Sequence, residues 1–209
     1  MRRSIRGRAL LVSACMLAGA TAWAQQPYPG ASPAIVSTDL AVTYAAERAE
    51  LAPGNCGCSW LQGGSADASV TFRSGLGIVA SVTGDHASNF APGVDVNKVA
   101  FMAGPRYTYT AWTGQAATTD VRRMQLYGQV LFGGVHAFNG VFPATAGTTS
   151  SATSFALQAG AGLNLFFSKN FGVRLLEVDY VRTALPNSAS NTQNDLRLAC
   201  GLLWHIGRH

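Results

Sequence analysis

Ionisable side chains are scarce in this chain. Asp, Glu, Lys and Arg together are 12% of its 209 residues, against roughly 25% in ordinary soluble domains. So few charges cannot cover a normal water-facing surface. Long apolar runs are also missing: none reaches the ~20 residues that a membrane-spanning helix needs. A basic stripe for nucleic acid is absent too. The net charge of +5 rests on Arg2, Arg3, Arg6 and Arg8; without them 11 basic residues face 10 acidic ones. The rest are scattered singly, apart from Arg122-Arg123, which excludes a nucleic-acid partner. Of four cysteines one, Cys15, lies in the N-terminal segment, and the remaining Cys56, Cys58 and Cys200 do not make a disulfide framework. Phosphate loops, carboxylate clefts and dinucleotide fingerprints are also lacking, since Gly160-Ala161-Gly162 lies inside a strand pattern. The sequence predicts no cofactor, no metal and no enzymatic role.

What is present begins with an export signal. MRRSIRGR is a positive n-region, ALLVSACMLAGA an apolar h-region, and Ala22-Trp23-Ala24 a small-x-small cleavage site. Residues 1–24 read as a signal peptide. A competing detail is Val12-Ser13-Ala14-Cys15, which has the form of a lipoprotein processing box. Residues 25–36 (QQPYPGASPAIV) read as a flexible entry segment, and 37–209 as a β-barrel domain.

The barrel reading rests on period two. In FALQAGAGLNLFF, Phe155, Leu157, Ala159, Ala161, Leu163, Leu165 and Phe167 share one face, opposite Ala156, Gln158, Gly160, Gly162, Asn164 and Phe166. The last run behaves likewise: Leu196, Leu198, Cys200, Leu202, Trp204 and Ile206 oppose Asp195, Arg197, Ala199, Gly201, Leu203 and His205. Eight such runs are expected, at about 38–50, 67–73, 76–84, 98–109, 122–137, 154–167, 171–182 and 194–206. The gaps 51–66, 85–97, 138–153 and 183–193 are long and polar and mostly alternate with short ones at 74–75 and 168–170, the middle gap 110–121 being longer, as in a barrel with loops at one end and turns at the other. A soluble barrel would put the apolar face inside and need Lys and Glu outside. The second face carries Gly, Ala, Gln and few charges, which suits a narrow lumen, so the apolar face is assigned to lipid. Glu47, Arg106, Glu177, Asp179 and Arg197 then share the lumen, where unpaired charge is costly, and Glu177 is expected to meet Arg197. Strict alternation puts Leu175 inside with Glu177. Tyr44, Tyr107, Tyr109, Phe167, Tyr180 and Trp204 near strand ends fit either an interfacial girdle or ordinary strand composition.

Cys56 and Cys58 flank one glycine in the first long gap. A loop-bracing disulfide is preferred over a redox pair or a metal site, which wants four ligands. His136, assigned outward near a strand end with Ser150, Ser151 and Ser154 not far off, is the place where a lipid-processing His–Ser pair would lie.

Together with the signal peptide, the segments RYTYTAW, RRMQLYGQVLFGG, FFSKNFGVRLLEVDYVRT and NDLRLACGLLWHIG resemble the small outer-membrane β-barrel family, akin to OmpA-like and OmpX-like domains, over about residues 37–208. The resemblance implies an all-β, eight-stranded antiparallel up-and-down transmembrane barrel in the bacterial outer membrane. It implies lipid as solvent, and assembly by the insertion machinery and periplasmic chaperones. The expected role is structural or surface-interacting, with four extracellular loops and a side-chain-filled lumen. The alternatives are a lipid-modifying barrel enzyme and a soluble periplasmic ligand-binding barrel.

Overall fold

A computed structural model describes residues 35–50, 58–91, 94–114, 121–144, 147–186 and 191–207. Eight strands follow in order: β1 (Ile35–Glu50), β2 (Cys58–Phe72), β3 (Leu76–Ala91), β4 (Val94–Thr113), β5 (Arg123–Ala144), β6 (Gly147–Phe166), β7 (Phe171–Thr183) and β8 (Gln193–Gly207). Each pairs antiparallel with the next, and β8 closes on β1 from Ser37↔Gly207 to Arg48↔Leu196. Closure leaves no strand edge, so every strand finds a partner on both sides. There is no helix among the described residues. Cys15 and the signal segment 1–24 lie outside the described residues, as does Cys56; Cys58 opens β2.

The strands overrun several of the expected gaps. β2 starts nine residues before the predicted run, β3 continues to Ala91, β5 to Ala144, and β6 starts at Gly147. The physical reason is local. Beyond the apolar band the outward face has no need of greasy residues, so alternation fades while ladder hydrogen bonding continues. Segments such as GTTSSAT look like loop but extend a hairpin. At the opposite end two of the three connections, 73–75 and 167–170, are tight. Gly75 N–H donates to Phe72 O over 2.9 Å with Gly75 at φ 83°, a backbone conformation that favours glycine. In the 168–170 turn, Phe171 N–H donates to Ser168 Oγ (2.9 Å) and His205 N–H to Asn170 O (2.7 Å).

Side chains sort by face. Leu40, Val42, Tyr44, Phe101, Phe132, Leu176, Tyr180, Leu202 and Trp204 are exposed on the outer wall, whereas Asp67, Arg106, Arg174, Glu177, Asp179 and Arg197 are buried inside. One expectation fails at β7. Its register shifts against both neighbours: Arg174 pairs with Gly201 and Glu177 with Ala199, so three steps on β7 match two on β8. This one-residue bulge turns Leu175 and Leu176 both outward and brings Arg174 inside. Alternation without the bulge had placed Leu175 inside; the inserted residue inverts the phase below Leu176.

An outer wall solvated by acyl chains makes a specific demand. Val42→Arg, which puts a charge on the exposed mid-wall position of β1, is expected to lower stability by about 2–4 kcal/mol in lipid, against about 0–1 for Thr38→Arg nearer the turn end. Urea titration in phospholipid vesicles reads both.

Candidate functional site

The lumen holds the densest chemistry. Its polar groups stack in three tiers, set by inward positions of strands that the register brings level. At the turn end, His205 Nδ1 and Asp39 Oδ1 lie 2.5 Å apart, Arg123 stands 3.3 Å from His205 Nε2, and its guanidinium covers the Phe166 ring at 4.0 Å.

The middle tier is the core of the network. Arg174 pairs with Asp67 and, over 2.5 Å, with Glu177. Tyr127 Oη donates to Glu177, and its ring is in reach of two guanidinium groups, Arg106 at 4.5 Å and Arg174 at 4.9 Å. Arg106 donates to Gln129 Oε1 through Nε (3.0 Å) and Nη2 (2.6 Å) and stands 3.8 Å from Asp67. Gln129 Nε2 reaches toward Glu177 and Asp179, while Arg197 lies 3.7 Å from Glu177 and 3.6 Å from Asp179. Three guanidinium and three carboxyl groups thus meet within one tier. Flat guanidinium groups suit this because they donate in several directions and stack on rings. Space comes from glycine. A Cβ at Gly162 would collide with the Tyr127 ring, and one at Gly160 with Asp179.

The upper tier contains Lys98 beside Glu47 and 3.8 Å from Asp195. Asp85 is directly across from Lys98 in the β3–β4 ladder and is buried. Above the acids lie Ala49, Leu61 and Ala87; the β4–β6 side is apolar, with Ala100, Met102, Leu131, Val135 and Phe142. A void of about 10 Å³ lies among Glu47, Lys98, Gln158 and Arg197, room for about one water.

Asp39, Asp67, Asp85, Lys98 and Arg174 escape sequence reasoning, Asp85 because it falls in a predicted gap. Asp67 and Lys98 stood at the margins of predicted strands, and Arg174 was hidden by the bulge. A signal existed for Arg174: on strict alternation it would point into lipid, at a cost of about 2–4 kcal/mol, which calls for a phase change nearby. Of the histidines, His136 pairs through Nδ1 with Thr153 Oγ1 (2.7 Å) and stacks on Phe138 at 5.9 Å; no serine is its partner there.

Solved structures share this architecture. Neisserial surface protein A superposes with a TM-score of 0.53 at 16% identity, over 80% of this chain and 96% of that one. The chain has the fold of a small outer-membrane β-barrel. The attachment invasion locus protein Ail of Yersinia pestis, in complex with the heparin analogue sucrose octasulfate, gives 0.52 at 17% identity, over 83% of this chain and 100% of Ail. No protein-family model matches the chain, and no curated protein matches it in sequence.

The lumen geometry sets a stability test. Removing the Arg174 guanidinium strands Asp67 and Glu177 in the wall's interior. Arg174→Met is expected to cost about 3–5 kcal/mol, and adding Asp67→Asn and Glu177→Gln to restore part of it. Unfolding midpoints of the single and the triple variant in vesicles measure this.

Proposed function

We propose that this chain is an integral protein of the bacterial outer membrane, exported by residues 1–24, with a structural or surface-interacting role carried by the barrel and its loops. The observation that carries the reading is the inversion of the usual order: large apolar side chains cover the outside of a closed ladder while ionised ones fill its centre. Only a lipid solvent makes that arrangement favourable. The N-terminal strand enters from the turn end, which places the turns in the periplasm and the four connections after β1, β3, β5 and β7 outside the cell. Arg48 and Arg182, exposed on the outer wall near that end, stand where guanidinium groups meet anionic headgroups. Glu47, Arg106, Glu177, Asp179 and Arg197 act as braces across the lumen, which they close to steady ion flow. Cys56 and Cys58 brace the first loop. Lipid is the constant partner, and insertion machinery and chaperones act during assembly.

Fractionation tests the placement. The chain is expected in the outer-membrane fraction, extracted only with detergent, with a gel mobility that changes on boiling. Recovery in a detergent-free periplasmic extract would end the reading in favour of a soluble barrel. In planar bilayers the native chain should give no discrete conductance steps.

A further inference from the structure

On the outer wall, near the loop end of β3, three side chains form a relay. His86 Nδ1 lies 2.8 Å from Asn97 Oδ1, and His86 Nε2 lies 2.9 Å from Ser88 Oγ. A single tautomer satisfies both contacts. With the proton on Nδ1, the ring donates to the Asn97 carbonyl oxygen, and bare Nε2 accepts the Ser88 hydroxyl. This is the arrangement of a nucleophile, its base, and a third group that fixes the base's orientation. Local structure dictates it. His86 and Ser88 are two apart on one strand, so they share a face, and Asn97 is directly opposite His86 in the β3–β4 ladder. His86 and Ser88 are exposed, and Asn97 is half-buried.

Two further observations point to what would reach them. The β3–β4 register shifts between Ala87 and Ala91, so the backbone just after Ser88 leaves the regular ladder and the pair opens beside the hydroxyl. Lower on the same wall lies an open apolar concavity of about 670 Å³, floored by Ala66, Ala68, Ala80 and Ala103 between Val42 and Phe101. It also includes Val82, four residues down β3 from His86, or about 13 Å along the strand. An acyl chain lying in that concavity would bring its carboxyl end up to the level of the relay.

We propose that His86, Ser88 and Asn97 form a hydrolytic site for the fatty-acyl esters of membrane lipids. Ser88 Oγ attacks the ester carbonyl carbon and passes its proton to His86 Nε2. The tetrahedral intermediate collapses, the C–O bond to the leaving alcohol breaks, and His86 returns the proton to that alkoxide. Water then attacks the acyl-serine, giving one proton to His86, which hands it to Ser88 as the fatty acid leaves. No electrons are exchanged and nothing but water is consumed. Ser88 and His86 are catalytic residues; Asn97 is a positioning residue. The site goes beyond the structural role and does not depend on the lumen or the loops.

The test uses the full chain purified in detergent. A long-chain fluorophosphonate should form an adduct on Ser88, located by peptide mass spectrometry, and the chain should release fatty acid from mixed micelles. Phosphatidylethanolamine and an acylated glucosamine disaccharide, offered in separate micelles, distinguish a phospholipid ester from a glycolipid ester; release from either supports the site. Ser88→Ala should abolish adduct and release. His86→Gln should lower release by about 10²–10⁴-fold. Asn97→Ala should lower kcat with KM unchanged, and Asn97→Asp should recover part of it, a split that loss of hairpin packing alone would not give. Retention of the heat-dependent gel mobility shows that each variant is folded, and His86→Gln carries the comparison should Ser88→Ala lose it. Absence of an adduct on Ser88, or release equal to that of the serine variant, overturns the proposal.

Discussion

The structure depends on one constraint: a backbone in hydrocarbon must satisfy every peptide group internally. Eight strands closed upon themselves do so without an edge, and closure then fixes the rest. With the outside committed to lipid, each polar side chain on a strand has one direction left, and with eight strands that direction leads into a lumen just wide enough for side chains. Ionised groups arriving from β1, β2, β4, β7 and β8 therefore meet. Their pairing follows from confinement, since a lone charge there has neither water nor partner.

Confinement also explains the glycine content. Long polar side chains crossing a narrow lumen need empty positions opposite them. Gly162 is the ladder partner of Tyr127 and of Glu177, and Gly160 that of Gln129 and Asp179. The bulge in β7 solves a related problem. It delivers Arg174 between Asp67 and Glu177, where a straight strand would have aimed it at lipid. Its by-product is a pair of adjacent outward leucines, Leu175 and Leu176, harmless because lipid accepts both.

How much was legible in the sequence follows from where its pattern carries information. Alternation is strict where one face meets hydrocarbon, so the inward set of β8, from Asp195 to His205, was readable residue by residue. It carries nothing about an inserted residue, so Arg174 was lost. It weakens beyond the apolar band, where both faces are polar. That is why Cys58–Ala66 and Gly147–Thr153 read as loop although they are strand. The same weakness hid the relay on β3. His86 falls within a presumed loop, whereas His136, the histidine that alternation places outward, has Thr153 as its hydroxyl partner. The available signal was a His-x-Ser spacing just past an apolar strand, which period two places on one face if the strand continues.

The position of that relay matters more than its composition. A histidine and a serine in bulk water are commonplace, and buried in the lumen they would be additional braces. On the outer wall the polar side chains His86, His136 and Arg182 stand toward the loop end, past the exposed apolar side chains Val82, Phe132 and Val178. That boundary is the depth at which membrane lipids carry their ester linkages, between acyl chain and headgroup. A hydroxyl placed there with its base already oriented needs no cleft to gather substrate, because the surrounding lipid supplies it at very high local concentration. What it does need is a place for one chain to settle. The alanine floor on β2, β3 and β4 offers it, because small residues between larger ones leave a channel that a uniformly bulky wall would not.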